Sequence, residues 1–164
     1  MRYAAKYDFL TKIITHGVII LTLILFAIAF NTFPKGLPVT IGPVALIIAI
    51  FLSWGYSPLY YEIKEDAIVI KRPLKNLSLP LKDIRNISMI NQVDLGGSIR
   101  LFGSGGLFGY NGTFMSNKIG RYQMWCTNRE TLILIEYKDK KILISPSEDF
   151  AFLNDATERM KHYK

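Results

Sequence analysis

The chain has 164 residues, room for one modest domain and an appendage, with a net charge of +7 and half of its residues hydrophobic. A mean hydropathy of +0.22 beside 20% charged residues requires the two kinds of residue to be segregated. One cysteine, Cys126, excludes an intramolecular disulfide framework and any Cys-based metal cluster, and two histidines, His16 and His162, leave little for a zinc site or a Ser-His-Asp relay.

Residues 13–33 hold no Asp, Glu, Lys or Arg and are apolar on every face, with His16 read as a helix residue near the interface. About 20 residues of helix cross a hydrocarbon core of about 30 Å, so this run is long enough to span. A cleaved signal peptide would have a shorter apolar region and a small-x-small site, whereas this run ends in Asn31-Thr32-Phe33-Pro34-Lys35. A second uncharged run, about 38–57, follows the connector Pro34-Lys35-Gly36-Leu37-Pro38, whose prolines and glycine end one helix and begin the next. So short a connector permits only an antiparallel hairpin. Arg2, Lys6 and Lys12 on one flank and Lys64, Lys71, Arg72 and Lys75 on the other, against Lys35 at the tip, place both termini in the cytoplasm. Tyr3, Tyr7, Phe9, Trp54, Tyr56, Tyr60 and Tyr61 would form an aromatic belt on that side, with Tyr60 and Tyr61 also reading as part of a first strand.

From residue 58 onward the pattern is that of strands and turns. Y-Y-E-I-K and A-I-V-I-K-R alternate around Glu65-Asp66; L-S-L-P-L leads into D-I-R-N-I-S-M-I, with Ile84, Ile87 and Met89 or Ile90 as core candidates. S-I-R-L-F, R-Y-Q-M-W-C-T, T-L-I-L-I-E-Y and K-I-L-I-S follow, for about seven strands in an antiparallel meander. Cys126 reads as a buried small residue in a strand. Ser145-Pro146-Ser147-Glu148 has the form of a capping box opening a terminal helix. Phe150, Leu153, Thr157 and Met160 would cover the sheet from it.

Residues 58–162, and above all the run T-N-R-E-T-L-I-L-I-E-Y-K-D-K-K-I-L-I-S-P-S-E-D-F-A-F-L within residues 127–153, resemble the bacterial pleckstrin-homology-like (PH-like) domains, in which one or two membrane helices precede the domain. The resemblance implies an α+β membrane protein: a transmembrane hairpin in residues 1–57, then a PH-like antiparallel sheet or partial barrel of about seven strands in residues 58–164, plugged at one end by the C-terminal helix. It implies no catalytic residues. Lipid-binding PH domains carry basic residues around the first hairpin, and here that turn is Glu65-Asp66, a departure from their pattern.

Residues 96–120 are glycine-rich but lack a terminal Gly-Lys-Ser/Thr, the G-x-G-x-x-G spacing and a following helix, so a nucleotide loop is disfavoured. Two readings stay open: a long hairpin loop whose glycines permit positive φ, or a surface whose apolar tips, Phe102, Leu107, Phe108 and Tyr110 flanked by Arg100, Lys118 and Arg121, touch the cytoplasmic leaflet or the membrane hairpin. The spans hold no carboxylate, Lys or Arg for a relay. The expectation is therefore a non-catalytic, membrane-anchored interaction module of the inner (plasma) membrane. It has no metal and no cofactor, and it binds a protein partner or an anionic lipid surface rather than nucleic acid; self-association is left open. The alternative is a small membrane enzyme or transporter-associated subunit.

Overall fold

The computed structural model describes residues 1–32 and 38–162. The connector residues Pro34, Lys35, Gly36 and Leu37 and the terminal Lys164 lie outside them.

The chain opens with a short strand, β1 (Arg2–Ala4), and then a long helix, α1 (Phe9–Thr32). This helix begins ahead of the charge-free run because Asp8 caps it: the Asp8 carboxylate accepts the Thr11 N–H at 2.7 Å. Helix α2 (Pro38–Tyr56) follows, with Pro38 at its first position and Pro43 inside it. The helices pack along their length, with the small or ring-shaped residues Thr22, Ala29 and Pro43 buried. Their outer faces expose Leu23, Phe26, Phe30, Ile41, Ile48 and Phe51. Helix α1 is long and apolar enough to cross a membrane; the apolar part of α2 among the described residues, Ile41–Tyr56, is shorter.

Among the described residues, ten strands form two sheets. The first is four-stranded, with order β1-β2-β3-β4, made by β1, β2 (Tyr60–Ile63), β3 (Ala67–Lys71) and β4 (Leu77–Pro80). Strand β1 pairs antiparallel with β2, Tyr3 opposite Tyr61, so the chain leaves this sheet through one helix and re-enters it from the other. The Met1 amine donates to the Ile63 carbonyl at 2.8 Å, extending the β1–β2 pairing by one residue. The turn at Glu65-Asp66 sets Ile63 opposite Ile68, as strand alternation predicts.

The second sheet comprises β5 (Ile84–Ile90), β6 (Ser98–Gly106), β7 (Gly109–Ser116), β8 (Gly120–Cys126), β9 (Leu132–Tyr137) and β10 (Lys140–Ile144), in the order β5-β9-β10-β8-β7-β6. It is not a meander. The β9–β10 hairpin inserts between β5 and β8, so β10 runs parallel to β8 with Ile142 opposite Gln123. Where the resemblance implies one sheet or partial barrel of about seven strands, the described residues form two sheets and no closed barrel; β5 and β6 are the two edges of the second, linked by a one-turn helix, α3 (Gln92–Leu95).

The glycine-rich segment, in which only S-I-R-L-F reads as a strand and a long hairpin loop is one of two open readings, is the β6–β7 hairpin, closed by the two-residue turn Leu107-Phe108. Gly103 and Gly112 face each other across it at φ +111° and +129°, and a Cβ on either would strike the carbonyl oxygen of Asn111 or Phe102. Glycine here allows two backbones to approach rather than a loop to wander.

Two clusters hold the fold. Residues such as Tyr61, Ile68, Ile70, Ile133, Ile135 and Ile144 join the sheets face to face. On the other face of the six-stranded sheet, Leu95, Phe114, Tyr122, Met124, Leu134 and Leu143 pack together, with Cys126 fully buried among them. The terminal helix α4 (Asp149–Lys161) starts later than the capping-box reading places it, with Glu148 at its N-cap position. Phe152 and Ala156 are its buried residues, supported by Leu153 and Met160, while Phe150 is 69% exposed. Ser145 is drawn away from helix capping because its hydroxyl accepts the N–H groups of Thr127 and Asn128, at 2.9 and 3.3 Å.

Candidate functional site

An apolar helix gains nothing from a buried hydroxyl unless the hydroxyl has a task. Thr11 and Thr15, one turn apart on α1, are both buried against the β-domain. The Thr11 hydroxyl donates to the Thr127 carbonyl at 3.3 Å, and the Thr15 hydroxyl accepts the Phe108 N–H at 2.9 Å. Ser57, just past α2, donates to the Phe108 carbonyl. The tip of the β6–β7 hairpin is therefore held by the start of one helix and the end of the other, which also makes the two packed helices antiparallel. Asp8 adds a link from its second carboxylate oxygen, which accepts the Tyr110 hydroxyl at 3.1 Å.

Cross-strand register builds a polar floor beside this joint. Phe102 lies opposite Thr113 and Thr113 opposite Gln123; Ser104 lies opposite Asn111 and Asn111 opposite Trp125. Alternation puts these two rows on one face of β6, β7 and β8. Leu52, Ser53 and Tyr56 of α2 stand over them, leaving a half-open cavity of about 410 Å³. Asn111 is only 3% exposed, and neither its amide nitrogen nor its oxygen has a hydrogen-bond partner among the described residues; the same holds for Trp125 Nε1. Leaving such a buried group unpaired costs about 1–3 kcal/mol.

Arg72 flanks this wall. It is 8% exposed, and its guanidinium lies 4.2 Å from the Trp125 ring centre and 5.7 Å from that of Tyr56. Among the described residues no carboxylate pairs with it. Burial pulls its pKa below the usual arginine range. The opposite face of the hairpin carries a second, more polar concavity of about 290 Å³, lined by Arg100, Arg129, Tyr110 and Tyr122 among others.

The residues singled out from sequence are thus dispersed. Phe102 is 80% exposed on edge strand β6, beside Arg100, also exposed; Leu107 and Phe108 are half-buried at the tip; Tyr110 is buried under Arg129. Lys118 sits in the β7–β8 turn, donating to the Val93 carbonyl at 3.2 Å, and Arg121 is exposed on β8. Sequence reading missed Asn111, Trp125 and Arg72. The alternation in R-Y-Q-M-W-C could have paired Gln123 with Trp125 on one face, but nothing local marks Arg72 as buried. Among the described residues, no three His, Cys, Asp or Glu side chains gather as metal ligands would.

No curated protein and no solved structure matches the chain. A family model described as the bacterial PH domain matches residues 59–160, well over half of the sequence. With its strand hairpins, terminal helix and this match together, the chain belongs to the bacterial PH domain family.

Proposed function

We propose that this protein is a membrane-anchored interaction module without catalysis of its own: α1 and α2 cross the bilayer as a hairpin, and the PH domain rests against the cytoplasmic leaflet through strand β6. The family supports an interaction role. The observation that carries the membrane contact is the exposed apolar edge strand, where Ile99, Leu101 and Phe102 are 69%, 51% and 80% exposed and Phe102 shares a cavity lining with Leu52 of α2. An exposed apolar edge on a soluble domain invites aggregation, and a bilayer would cover it.

Depth supports the same reading. Docking of Thr11 and Thr15 commits the first turns of α1 to the domain, so the free stretch from His16 to Thr32 is about 25 Å long. Its described part makes up most of a hydrocarbon core of about 30 Å, which sets the β-domain at the foot of the span, close to the leaflet. The flanking cations set the side, as they do in sequence. Cys126, the one thiol, is buried and its pKa pushed up to about 12, which suits packing rather than nucleophilic chemistry.

The test uses the full chain in vesicles containing acidic lipid. A dye on Phe102→Cys should be quenched by lipids brominated near the headgroup, whereas a dye on Asp139→Cys, in the exposed β9–β10 turn, should not. Reporters fused to the two ends should both read cytoplasmic. Equal water exposure of the two dyes, or an external C-terminal reporter, would overturn the proposal.

A further inference from the structure

We propose that the cavity under the last turn of α2 binds the headgroup of one acidic glycerophospholipid bearing a hydroxyl, of the phosphatidylglycerol class. The inference rests on the membrane-anchored reading and gives that module a specific ligand. The site lies on the sheet face shared by β6, β7 and β8, away from the Glu65-Asp66 hairpin.

Three observations select this chemistry. The first is the hydrogen-bonding inventory. Asn111 offers a buried amide donor and a buried carbonyl acceptor, and Trp125 Nε1 offers a donor, all without partners among the described residues. A phosphodiester supplies acceptors for the two N–H groups, and a headgroup hydroxyl supplies the donor that Asn111 Oδ1 lacks. The second is charge. The Arg72 guanidinium, stacked on the Trp125 ring and close to that of Tyr56, stands beside the cavity rather than in its lining; among the described residues no carboxylate pairs with it, and no acidic residue lines the cavity, so an anion there meets the field of a neighbouring cation and no repulsion. The third is shape and place. A volume of about 410 Å³ is that of a small-molecule site. Its apolar walls, Leu52, Tyr56 and Phe102, lead from the polar floor to the outer face of α2, where acyl chains would lie.

The full chain, purified in a neutral detergent and stripped of lipid, would be titrated with dioctanoyl phosphatidylglycerol, dioctanoyl phosphatidylcholine and inorganic phosphate, with binding read by native mass spectrometry. One phosphatidylglycerol should bind, with phosphatidylcholine and phosphate each at least about tenfold weaker. Trp125→Phe, which keeps a ring beside Arg72 and removes the donor, and Asn111→Leu should each weaken binding about tenfold, the size of one lost hydrogen bond to a charged group. The ligand-free melting temperature of Asn111→Leu should stay level or rise, since an unpaired buried amide is removed. Should Asn111→Leu fail to fold, Trp125→Phe decides the matter alone. Equal binding of phosphatidylcholine, undiminished binding by Trp125→Phe, or phosphate binding as tightly as the lipid would each overturn the proposal, the last marking a free-anion site. A chain that stays in the membrane fraction yet binds no lipid sinks this inference alone; a chain absent from that fraction sinks the anchored reading beneath it.

Discussion

Replacing Ser145 by alanine separates two accounts of the same residue. As a helix cap it would stabilise the start of α4, and Asp would serve as well as Ser. In the structure it is fully buried between β10 and the exit of β8, 3.4 Å from the Tyr61 hydroxyl, and it accepts the Thr127 and Asn128 N–H groups. Alanine leaves both donors without an acceptor, at about 1–3 kcal/mol each. Asn128 is only half-buried and its bond is the longer, so the sum is about 2–4 kcal/mol, a large part of a typical stability of about 5–15 kcal/mol. For a domain of this size the melting temperature should fall by roughly 10–25 °C. Thermal unfolding of the full chain in detergent, followed by the strand signal in circular dichroism, measures it. Aspartate should be no better than alanine, because it would place a carboxylate in the core. A fall under about 4 °C for Ser145→Ala, or a wild-type melting temperature for Ser145→Asp, would refute the reasoning and restore the capping role.

Tyr61 is wholly buried, its hydroxyl donating to the Trp125 carbonyl at 2.8 Å, and burial raises its pKa well above the ordinary value of 10.0. The stability linked to it is complete below about pH 10 and declines as pH rises beyond that, because the unfolded phenol ionises first. Alkaline titration should show phenolate absorbance from this residue rising together with loss of structure, and ionisation inside an intact fold would contradict the burial. Cys126 should resist maleimide in the folded protein at pH 8 and react once denaturant unfolds the domain. Removing residues 1–4 should lower stability by about 2–4 kcal/mol, since Tyr3 is 5% exposed, packs edge-on against Phe152 at 5.1 Å and is joined by β1 pairing; denaturant unfolding reads the loss.

The apolar helices and the β2–β3 and β9–β10 hairpins were legible in the sequence because their causes are local: uninterrupted apolar runs, period-two alternation and turn residues between neighbours in the chain. The Asn111–Trp125 floor was not legible, because it exists only through the register of β7 on β8, and Arg72 reads as a surface cation until α2 folds back beside it. Strand β1 is three residues whose partner lies across the whole helical hairpin, and no local signal marks so short a piece. S-I-R-L-F reads as a strand, but the glycine-rich remainder of β6 and the whole of β7 escaped for a related reason: glycine erases the alternation by which a strand is recognised, while being what lets their backbones meet. Ser145-Pro146-Ser147-Glu148 shows the conflict most sharply. Its four residues satisfy every local rule for a helix start, and the helix does follow. Its serine hydroxyl goes instead to two backbone donors from another strand, because a buried N–H left unpaired costs more than an uncapped helix end that water can reach.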